Sequence, residues 1–552
     1  MKWTLAERVL ERGRIEPDRL AVRLLWSQQR EQAVSCGDLL EGALRYAGRL
    51  QRVGAGPGAV VLIIHQHSLD LLYGFFGAVL AGAIPSLLPY PTEKLDTERY
   101  RNSLEALFQL IQPKAVITYP ALAVVLKSLC ELEGVEVLLP QPDDHSPLGE
   151  AVSVAAQDIA LLQHSSGTTG LQKGVALSHE AIYRQLESCA EAIRLSRDDV
   201  IVSWLPLYHD MGLIAGFLLP ILKSIPLVLM SPLEWVRAPH MLLQAVSRFG
   251  GTVTWLPNFA YNFCARKISE AALDGVDLSR WRAVINCSEP VSARSHELFA
   301  HRFAPYGFRR AALAASYAMA ENVFAVTQGG IDEPLRVDSV DPRALAVDGI
   351  AIPSASGLAV ASSGRPVPNV EIKIVDASGI QLPERHIGEI ALLSDCMLTG
   401  YYKRSDLTAQ VMRDGWYLTG DLGYVVGEEL FVTGRLKDLI IVGGRNLYPG
   451  DLEEIVNDVG GVHPGRVVVF GVPNVELGTE DVAVVAEVET DDADERRRIS
   501  ENIRSGIARQ TDCIARHIHL VDSRWLIKTS SGKISRHANR EKFLRERELA
   551  TV

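Results

Sequence analysis

The sequence has no C-x-x-C pair, although it contains seven cysteines, at positions 36, 130, 189, 264, 287, 396 and 513. Zinc sites and disulfide frameworks need close spacings or paired cysteines, so this scattered odd set favours free thiols in a reducing compartment. The chain also lacks an excess of positive charge, because its formal net charge is -11 and no basic face interleaved with aromatic residues offsets it. Nucleic-acid binding is therefore not expected.

Long uninterrupted hydrophobic runs are absent as well. The most apolar stretch, residues 214–230, is broken by Pro220, Lys223 and Pro226, so it is too short to span a bilayer. The first eight residues carry charges where a secretion signal needs an apolar core. We expect a soluble, cytoplasmic protein without a transmembrane segment.

The hydrophobic pattern predicts an α/β fold. Apolar strand-like runs such as 59–64 and 84–88 alternate with helix-like segments such as 68–81, which is typical of parallel sheets covered by helices. After Gly364 the runs become short and turn-separated, which favours an antiparallel β subdomain. A chain of 552 residues is also too long to fold around a single hydrophobic core. We predict a large domain over 1–434, with its β subdomain at about 364–434, and a smaller domain over 435–552.

The segment 165–174 packs four hydroxyl side chains, three glycines and one lysine directly after an apolar run. Glycines let successive N–H groups point inward, and hydroxyls and an ammonium add donors around the same space. The segment therefore indicates a polyphosphate cradle, although it lacks Walker A spacing and a flexible linker is the alternative. The candidate ligands are Ser165, Ser166, Gly167, Thr168, Thr169, Gly170 and Lys173.

Four segments in this order resemble the motifs of the ANL superfamily of adenylate-forming enzymes, and the resemblance covers nearly the whole chain. They are 165–174, 317–321, 416–421 together with 434–438, and 529–533. The resemblance implies ATP and Mg²⁺ as cofactors, and a small mobile α+β C-terminal domain that turns about a hinge at Lys437. Gln172, Ala318 and Ala320 depart from the usual pattern, and Ala320 matches the fatty acyl-AMP ligases.

The implied reaction joins a carboxylic acid to ATP, giving acyl-AMP and pyrophosphate. Segment 165–174 would hold the β- and γ-phosphates, and Glu321 would bind Mg²⁺. Tyr317 would lie beside adenine, Arg435 would bind ribose or phosphate, and Lys533 would reach the α-phosphate. Asp421 would accept hydrogen bonds from the ribose hydroxyls, although residues 419–421 also suit a plain tight turn. The same motif residues, without Lys533, would also suit a nucleotide-binding protein that has no ligase activity.

The tract 203–214 resembles the corresponding segment of fatty acyl-AMP ligases. By that resemblance His209 would sit beside the carboxylate and phosphates, and Gly212, Leu213 and Gly216 would contribute to acyl binding. A histidine with a purely structural role is the alternative for His209. Asp210 also leaves amino-acid activation open, because such enzymes hold the substrate ammonium with an acidic residue.

Two further features concern the acyl acceptor. The segment 335–358 resembles the insertion that distinguishes fatty acyl-AMP ligases from acyl-CoA synthetases. Residues 524–548 carry eight basic and three acidic side chains, a local charge of +5 that suits an acidic carrier protein or equally a solvated tail helix. The expected acceptor is the phosphopantetheine thiol of an acyl carrier protein, as in fatty acid, polyketide or nonribosomal peptide metabolism, and coenzyme A is the alternative.

Overall fold

The computed structural model describes residues 3–27, 30–91, 97–141, 147–164, 173–442, 445–474, 479–511, 513–529 and 532–551. In these ranges the strands, in chain order, are β1 (Leu20–Leu25), β2 (Glu31–Ser35), β3 (Val60–Ile64), β4 (Ile84–Leu87), β5 (Ala115–Thr118), β6 (Glu136–Leu138), β7 (Ile159–His164), β8 (Gly174–Ser178), β9 (Ile201–Ser203), β10 (Leu227–Met230), β11 (Val253–Leu256), β12 (Ala283–Asn286), β13 (Leu313–Ala315), β14 (Thr327–Gln328), β15 (Val337–Val340), β16 (Leu358–Ala361), β17 (Arg365–Pro366), β18 (Val370–Val375), β19 (Gly388–Ser394), β20 (Gly400–Tyr401), β21 (Met412–Arg413), β22 (Trp416–Val426), β23 (Glu429–Arg435), β24 (Ile440–Val442), β25 (Arg445–Leu447), β26 (Val462–Asn474), β27 (Thr479–Val488) and β28 (Ala515–Val521).

The α-helices of the described ranges are α1 (Leu5–Ile15), α2 (Cys36–Arg52), α3 (Leu69–Leu80), α4 (Thr97–Ile111), α5 (Pro120–Glu133), α6 (His179–Ala192), α7 (Leu219–Lys223), α8 (Pro232–Arg237), α9 (His240–Phe249), α10 (Asn258–Lys267), α11 (Ala293–Phe303), α12 (Pro342–Val347), α13 (Ser405–Val411), α14 (Pro449–Asn457), α15 (Ala493–Thr511) and α16 (Arg536–Thr551). A π-helix covers Met211–Leu218. None of the described helices is both long and apolar enough to cross a membrane.

Two seven-stranded sheets dominate the first three quarters of the chain. One has the strand order β13-β12-β11-β9-β10-β1-β2 and the other β20-β8-β7-β4-β3-β5-β6. Most neighbouring strands are parallel, and antiparallel pairs occur only toward one end of each sheet, at β1–β2, β7–β8 and β8–β20. This arrangement confirms the α/β class expected from strand–helix alternation.

Strand β3 shows why the hydrophobic pattern of the sequence predicts a buried strand. All five of its residues are buried, as a strand covered on both faces requires. The Ser68 hydroxyl then accepts a hydrogen bond from the Leu71 N–H at 3.3 Å, which caps the following helix α3 where the apolar periodicity begins. Each of the seven cysteines lies in a described range and is buried and free.

Five of the strands after Gly364 form a separate antiparallel sheet, β18-β19-β22-β21, with β23 on β22. In this sheet β22 and β23 bring Asp421 opposite Arg435. The residues around Asp421 had two interpretations, a binding motif or a tight turn. The structure places them inside a strand, and Gly420 with a φ of 71° adapts the backbone there.

The last part of the chain builds its own three-stranded sheet, β26-β27-β28, flanked by α14 and α15. Val469, Val484 and Ile503 belong to its separate hydrophobic core. The boundaries 1–434 and 435–552 stay predictions, but this core begins at Ile440, soon after the predicted hinge.

Segment 335–358 forms most of a small antiparallel hairpin, β15 and β16, with α12 between the strands. Val340 and Leu345 share a core with Tyr424 of the antiparallel sheet and with Tyr448, and α12 also contacts β25 and α15. The Asp338 carboxylate accepts hydrogen bonds from Arg385 at 2.9 Å and from Tyr424 at 3.1 Å. The hairpin therefore connects the antiparallel sheet with the C-terminal part of the chain.

Candidate active site

The predicted phosphate cradle connects two adjacent strands. His164 ends β7 and faces Gly174 at the start of β8, so the segment between them closes an antiparallel pair. Residues 165–172 lie outside the described residues, and their predicted role stays a prediction. Lys173 is described, and its ammonium lies 4.9 Å from the ring centroid of Tyr401.

Glu321 lies beside two tyrosines. Its Oε1 accepts a hydrogen bond from the Tyr401 hydroxyl at 2.8 Å, and the Tyr401 and Tyr417 hydroxyls are 3.1 Å apart. Burial raises the pKa of Glu321, although the Tyr401 hydrogen bond and nearby Lys173 oppose that rise. Glu321 is therefore partly buried, in contrast to most glutamates, which lie on protein surfaces.

The backbone that presents Glu321 is strained. Glu321 sits in a 3₁₀ turn, Ala320–Asn322, which ends at Val323 with φ 62° and ψ -52°. A β-branched residue at positive φ is an outlier that costs about 1–3 kcal/mol, so the surrounding structure must hold it in place. Val323 is fully buried, and the Asn322 amide donates to the Ala325 carbonyl at 2.8 Å. Such strain is typical of functional sites.

Asp421 has two partners among the predicted nucleotide-binding residues. Its Oδ2 accepts from the Tyr317 hydroxyl at 2.6 Å, and its Oδ1 lies 3.2 Å from Nε of Arg435. Burial and the Asp421 charge raise the pKa of Tyr317, so its hydroxyl stays protonated and remains a donor. Tyr317, Asp421 and Arg435 thus meet in one polar cluster, and their contacts with a nucleotide stay predictions.

His209 and Asp210 stand at the start of the π-helix Met211–Leu218. The His209 Nδ1 lies 2.6 Å from Asp210 Oδ1, and the same oxygen accepts from the Met211 N–H at 2.7 Å. Burial by itself raises the pKa of Asp210, but His209 and Lys533 outweigh it and the pKa lies below its ordinary value. Asp210 is therefore ionised at neutral pH, and π-helical turns are themselves frequent at functional sites.

The three predicted acyl-binding residues lie in a tightly packed region. A Cβ on Gly212 would come 2.2 Å from the Pro206 carbonyl oxygen, and one on Gly216 would come 2.7 Å from the Ser203 hydroxyl. Leu213 is 1% exposed in the main core. The two glycines therefore allow the π-helix to approach β9 and the loop after it, and acyl contact by these residues stays a prediction.

Lys533 comes from the far end of the chain and lies near enough to Asp210, Glu289 and Arg435 for their charges to affect its pKa. Burial lowers its pKa and Arg435 adds to that effect, whereas the Glu289 and Asp210 charges oppose it. Asp210 is in turn affected by Lys533. The structure therefore brings the C-terminal lysine to the same place as the His209–Asp210 pair, across more than 300 residues of sequence.

The predicted hinge, Lys437, lies in an exposed 3₁₀ turn, Leu436–Asp438. The next residue, Asp438, accepts from Arg536 at 2.9 Å, and Arg536 also donates to Glu453 on α14 at 2.7 Å. Arg536 therefore ties the end of this turn to the C-terminal unit. Hinge motion at Lys437 stays a prediction.

The charges of the site suit a nucleotide phosphate with a divalent cation. The described residues contain no group of three or more histidine, cysteine or acidic side chains that could hold a metal ion by themselves. Mg²⁺ commonly uses one or two protein carboxylates and completes its shell with water and substrate phosphates, so a single half-buried Glu321 fits it.

Sequence reasoning gave no role to Tyr401, which contacts Glu321, or to Tyr417, which contacts Tyr401 and lies in segment 416–421. Tyr401 follows Glu321 by 80 positions, and β20 delivers it by pairing with β8. Neither residue stands at a spacing that indicates chemistry, and a buried tyrosine is ordinarily read as core. The one local signal is the Gly400-Tyr401-Tyr402 run, which pairs two aromatic residues with a glycine.

Comparisons with known proteins agree with this geometry. The model of the AMP-binding enzyme family matches residues 10–402, more than two thirds of the chain. The medium-chain-fatty-acid–[acyl-carrier-protein] ligase JamA of Moorena producens is 31% identical, covering 98% of this chain and 95% of its own. A Caulobacter vibrioides protein whose name assigns it provisionally to the acyl-CoA synthetases is 30% identical, covering 93% of this chain and 91% of its own.

A solved structure from a study of fatty acyl-adenylate ligases of E. coli and L. pneumophila superposes with a TM-score of 0.90. It is 27% identical and covers 99% of this chain and 98% of that chain. The family match spans β7, β8, Glu321 and Tyr401, and the relatives extend over the C-terminal unit that carries Lys533. The chain belongs to the AMP-binding enzyme family, within the ANL superfamily of adenylate-forming enzymes, which use ATP.

Proposed function

We propose that this protein uses ATP to convert a fatty or other apolar carboxylic acid into acyl-AMP and then passes the acyl group to a carrier-protein thiol. The observation that carries the proposal is the cluster of Tyr317, Asp421 and Arg435, with the buried Lys533 of the C-terminal unit near enough to interact electrostatically with Asp210 and Arg435. A protein that only binds a nucleotide has no need of a cation delivered from a separate C-terminal unit.

In the first step a substrate carboxylate oxygen attacks the α-phosphorus of ATP, and the bond from that phosphorus to the bridging oxygen of pyrophosphate breaks. Asp421 accepts the ribose hydroxyls, because each carboxylate oxygen can take a further hydrogen bond beside those it already has. Lys533 stabilises the charge that develops on the α-phosphate, and Lys173 stabilises the charge on the departing pyrophosphate. Glu321 would hold Mg²⁺, which would supply further charge neutralisation at the phosphates.

In the second step the thiol sulfur attacks the acyl carbonyl carbon, AMP leaves, and the thiol proton is lost to solvent. His209 lies beside Asp210, which keeps the histidine ring oriented through Nδ1. We assign His209 a place next to the reacting carboxylate, in keeping with the resemblance of tract 203–214. Acid-dependent exchange of labelled pyrophosphate into ATP, measured over a panel of carboxylic acids of graded chain length, tests the first step directly.

Two polar contacts join helix α11 to the C-terminal unit that carries Lys533. The Ser292 hydroxyl donates to Glu454 at 3.1 Å, and Arg294 forms an ion pair with Asp458. Ser292 and Arg294 begin α11, whereas Glu454 and Asp458 lie on or just after α14. We propose that these contacts stabilise the adenylate-forming orientation, with Lys437 as the point of rotation.

Arg294→Glu is therefore expected to slow adenylate formation about fivefold, because an exposed ion pair is worth at most about 1 kcal/mol and reversal adds repulsion with Asp458. Thiol transfer from preformed acyl-AMP is expected to be unchanged or faster. Rapid-quench measurement of each half-reaction provides the comparison. Arg310→Glu is the matched control, because Arg310 pairs with Glu297 on the same helix without reaching α14. Equal rates for both variants in adenylation would contradict the assignment.

The acceptor proposal depends on the hairpin of β15, α12 and β16. Its core is shared with Tyr448, and α12 contacts β25 and α15, so it can restrict the positions open to the C-terminal unit. One relative is named for transfer to an acyl carrier protein. We propose that this restriction disfavours free coenzyme A as the acceptor.

The basic C-terminal tail supports carrier docking less strongly than its charge implied. Arg536 pairs with Asp438 and Glu453, Arg540 donates to the Gly471 carbonyl, and Lys542 to the Trp525 carbonyl. These three basic groups serve contacts inside the C-terminal unit. Exposed basic side chains do remain there, among them Arg524 and Arg545, and they could meet an acidic carrier.

Single-turnover transfer from acyl-AMP is expected to favour a phosphopantetheinylated acyl carrier protein over free coenzyme A. Carrier transfer is also expected to weaken modestly as salt rises, because exposed charges are screened within about 10 Å at 0.1 M ionic strength. The assay compares both thiols at low and high salt. Efficient acyl-CoA formation at micromolar coenzyme A, without carrier preference, would instead identify an acyl-CoA synthetase.

A further inference from the structure

Tyr401 lies between the two charged groups that the proposed function assigns to pyrophosphate. Strand β20 pairs Tyr401 with Val175, two residues after Lys173, and the next residue of the chain donates its N–H to the Gly174 carbonyl. The Tyr401 side chain is 5% exposed, and its N–H donates to the Thr408 hydroxyl at 2.9 Å. Backbone pairing and burial therefore fix this side chain beside the end of the predicted phosphate cradle.

The hydroxyl of Tyr401 belongs to a directional chain of hydrogen bonds. Because Glu321 as a carboxylate can only accept, Tyr401 must donate to it, and the Tyr417 hydroxyl can then donate to Tyr401. Burial raises the pKa of both tyrosines, which keeps both hydroxyls protonated. One oxygen of Glu321 is thereby committed to Tyr401, and the orientation of the carboxylate follows from that bond.

The ring of Tyr401 contacts the second charged group. An ammonium within about 6 Å of an aromatic centroid is attracted by the ring quadrupole, and Lys173 lies at 4.9 Å. The hydroxyl of the same ring donates to Glu321 at 2.8 Å. One side chain therefore sets the relative placement of the cation and the anion.

We propose that Tyr401 is a positioning residue for the pyrophosphate end of the site. Its hydroxyl aims Glu321 toward the metal ion, and its ring holds Lys173 near the phosphate cradle. The inference rests on the proposed adenylation. The inference adds two separable contacts made by Tyr401, a residue outside the motifs named above. Removal of its hydroxyl and removal of its ring should therefore have different effects.

Three variants separate these effects. Tyr401→Phe removes only the hydroxyl, Tyr401→Leu removes the hydroxyl and the ring, and Tyr402→Phe removes a neighbouring hydroxyl as the matched control. Tyr401→Phe is expected to raise the Mg²⁺ concentration for half-maximal pyrophosphate exchange about tenfold, the effect of losing one hydrogen bond to a charged group. The KM for the carboxylic acid is expected to stay within about twofold. Tyr401→Leu is expected to raise the KM for ATP in addition, and Tyr402→Phe to match the wild type.

A binding measurement keeps the inference independent of turnover. Calorimetric titration of ATP without carboxylic acid, at several Mg²⁺ concentrations, is expected to show a smaller Mg²⁺-dependent gain in affinity for Tyr401→Phe than for the wild type. Thermal unfolding checks that the variants are folded. A folded Tyr401→Phe with wild-type Mg²⁺ dependence in both assays overturns the inference, and so does an equal rise in all KM values. A wild type that binds ATP but shows no acid-dependent exchange overturns the proposed function alone.

Discussion

Glu321→Ala is expected to abolish magnesium-dependent adenylate formation while leaving the protein folded. The variant removes the half-buried carboxylate that Tyr401 orients, and with it the electrostatic stabilisation of the leaving pyrophosphate. Loss of one such interaction commonly costs about 3 kcal/mol or more, which corresponds to a rate reduced by about 100-fold to 1,000-fold. Pyrophosphate exchange at saturating ATP and acid, titrated with Mg²⁺, measures the effect.

The Glu321→Gln variant removes the negative charge of the side chain but keeps its shape. Its amide oxygen can still accept the Tyr401 hydrogen bond, so the turn with Val323 at φ 62° keeps its packing. If the carboxylate charge is what matters, this variant is as inactive as Glu321→Ala. Glu41→Ala, which breaks an exposed pair with Arg45 on α2, controls for loss of a glutamate as such. Near-normal turnover in folded Glu321→Gln would remove Glu321 from the metal site.

The fold was predictable where burial is unambiguous. A run such as Val60–Ile64 is apolar at every position, and a strand buried on both faces needs that composition. The helix after Ser68 begins with a polar cap followed by a helical apolar period. Residues 419–421 were harder to assign, because a Gly-Asp pair suits a turn as well as a strand. Pairing of β22 with β23 decided between the two, and that contact is not local in sequence.

The site was predictable only as far as motifs mark it. Glu321, Asp421 and Lys533 stand in recognisable segments, whereas their partners Tyr401 and Glu289 come from strands and loops whose neighbours are set by sheet topology. Gly212 shows the opposite case: its small size was read as room for an acyl chain, but its Cβ position faces the Pro206 carbonyl. A glycine in a sequence can indicate close packing, but it does not identify the group that packs against it.

Lys533→Ala is expected to reduce adenylate formation by about 100-fold or more while leaving thiol transfer from preformed acyl-AMP within a few-fold of the wild type. Its ammonium lies by Asp210 and Glu289 only because the C-terminal unit packs against the site in this orientation, through contacts such as Ser292 to Glu454. An interaction that is made only in the transition state of adenylation lowers the activation free energy of that half-reaction alone. Rapid-quench assays of the two half-reactions, run on the same preparation, give the ratio.

The pH dependence of adenylation offers a second test of Lys533. Burial and Arg435 lower its pKa, so its ammonium is lost at a lower pH than an exposed lysine. Adenylation is therefore expected to fall as pH rises through the Lys533 pKa, and Lys533→Arg, which stays charged, is expected to lose that alkaline fall even if its rate is lower. Thiol transfer is expected to show no such difference between the variants. A residue that only supports the fold of the C-terminal unit affects both half-reactions alike. If the Lys533 variants slow both half-reactions equally, and Lys533→Arg keeps the decrease in adenylation rate at high pH, Lys533 has a role in folding instead.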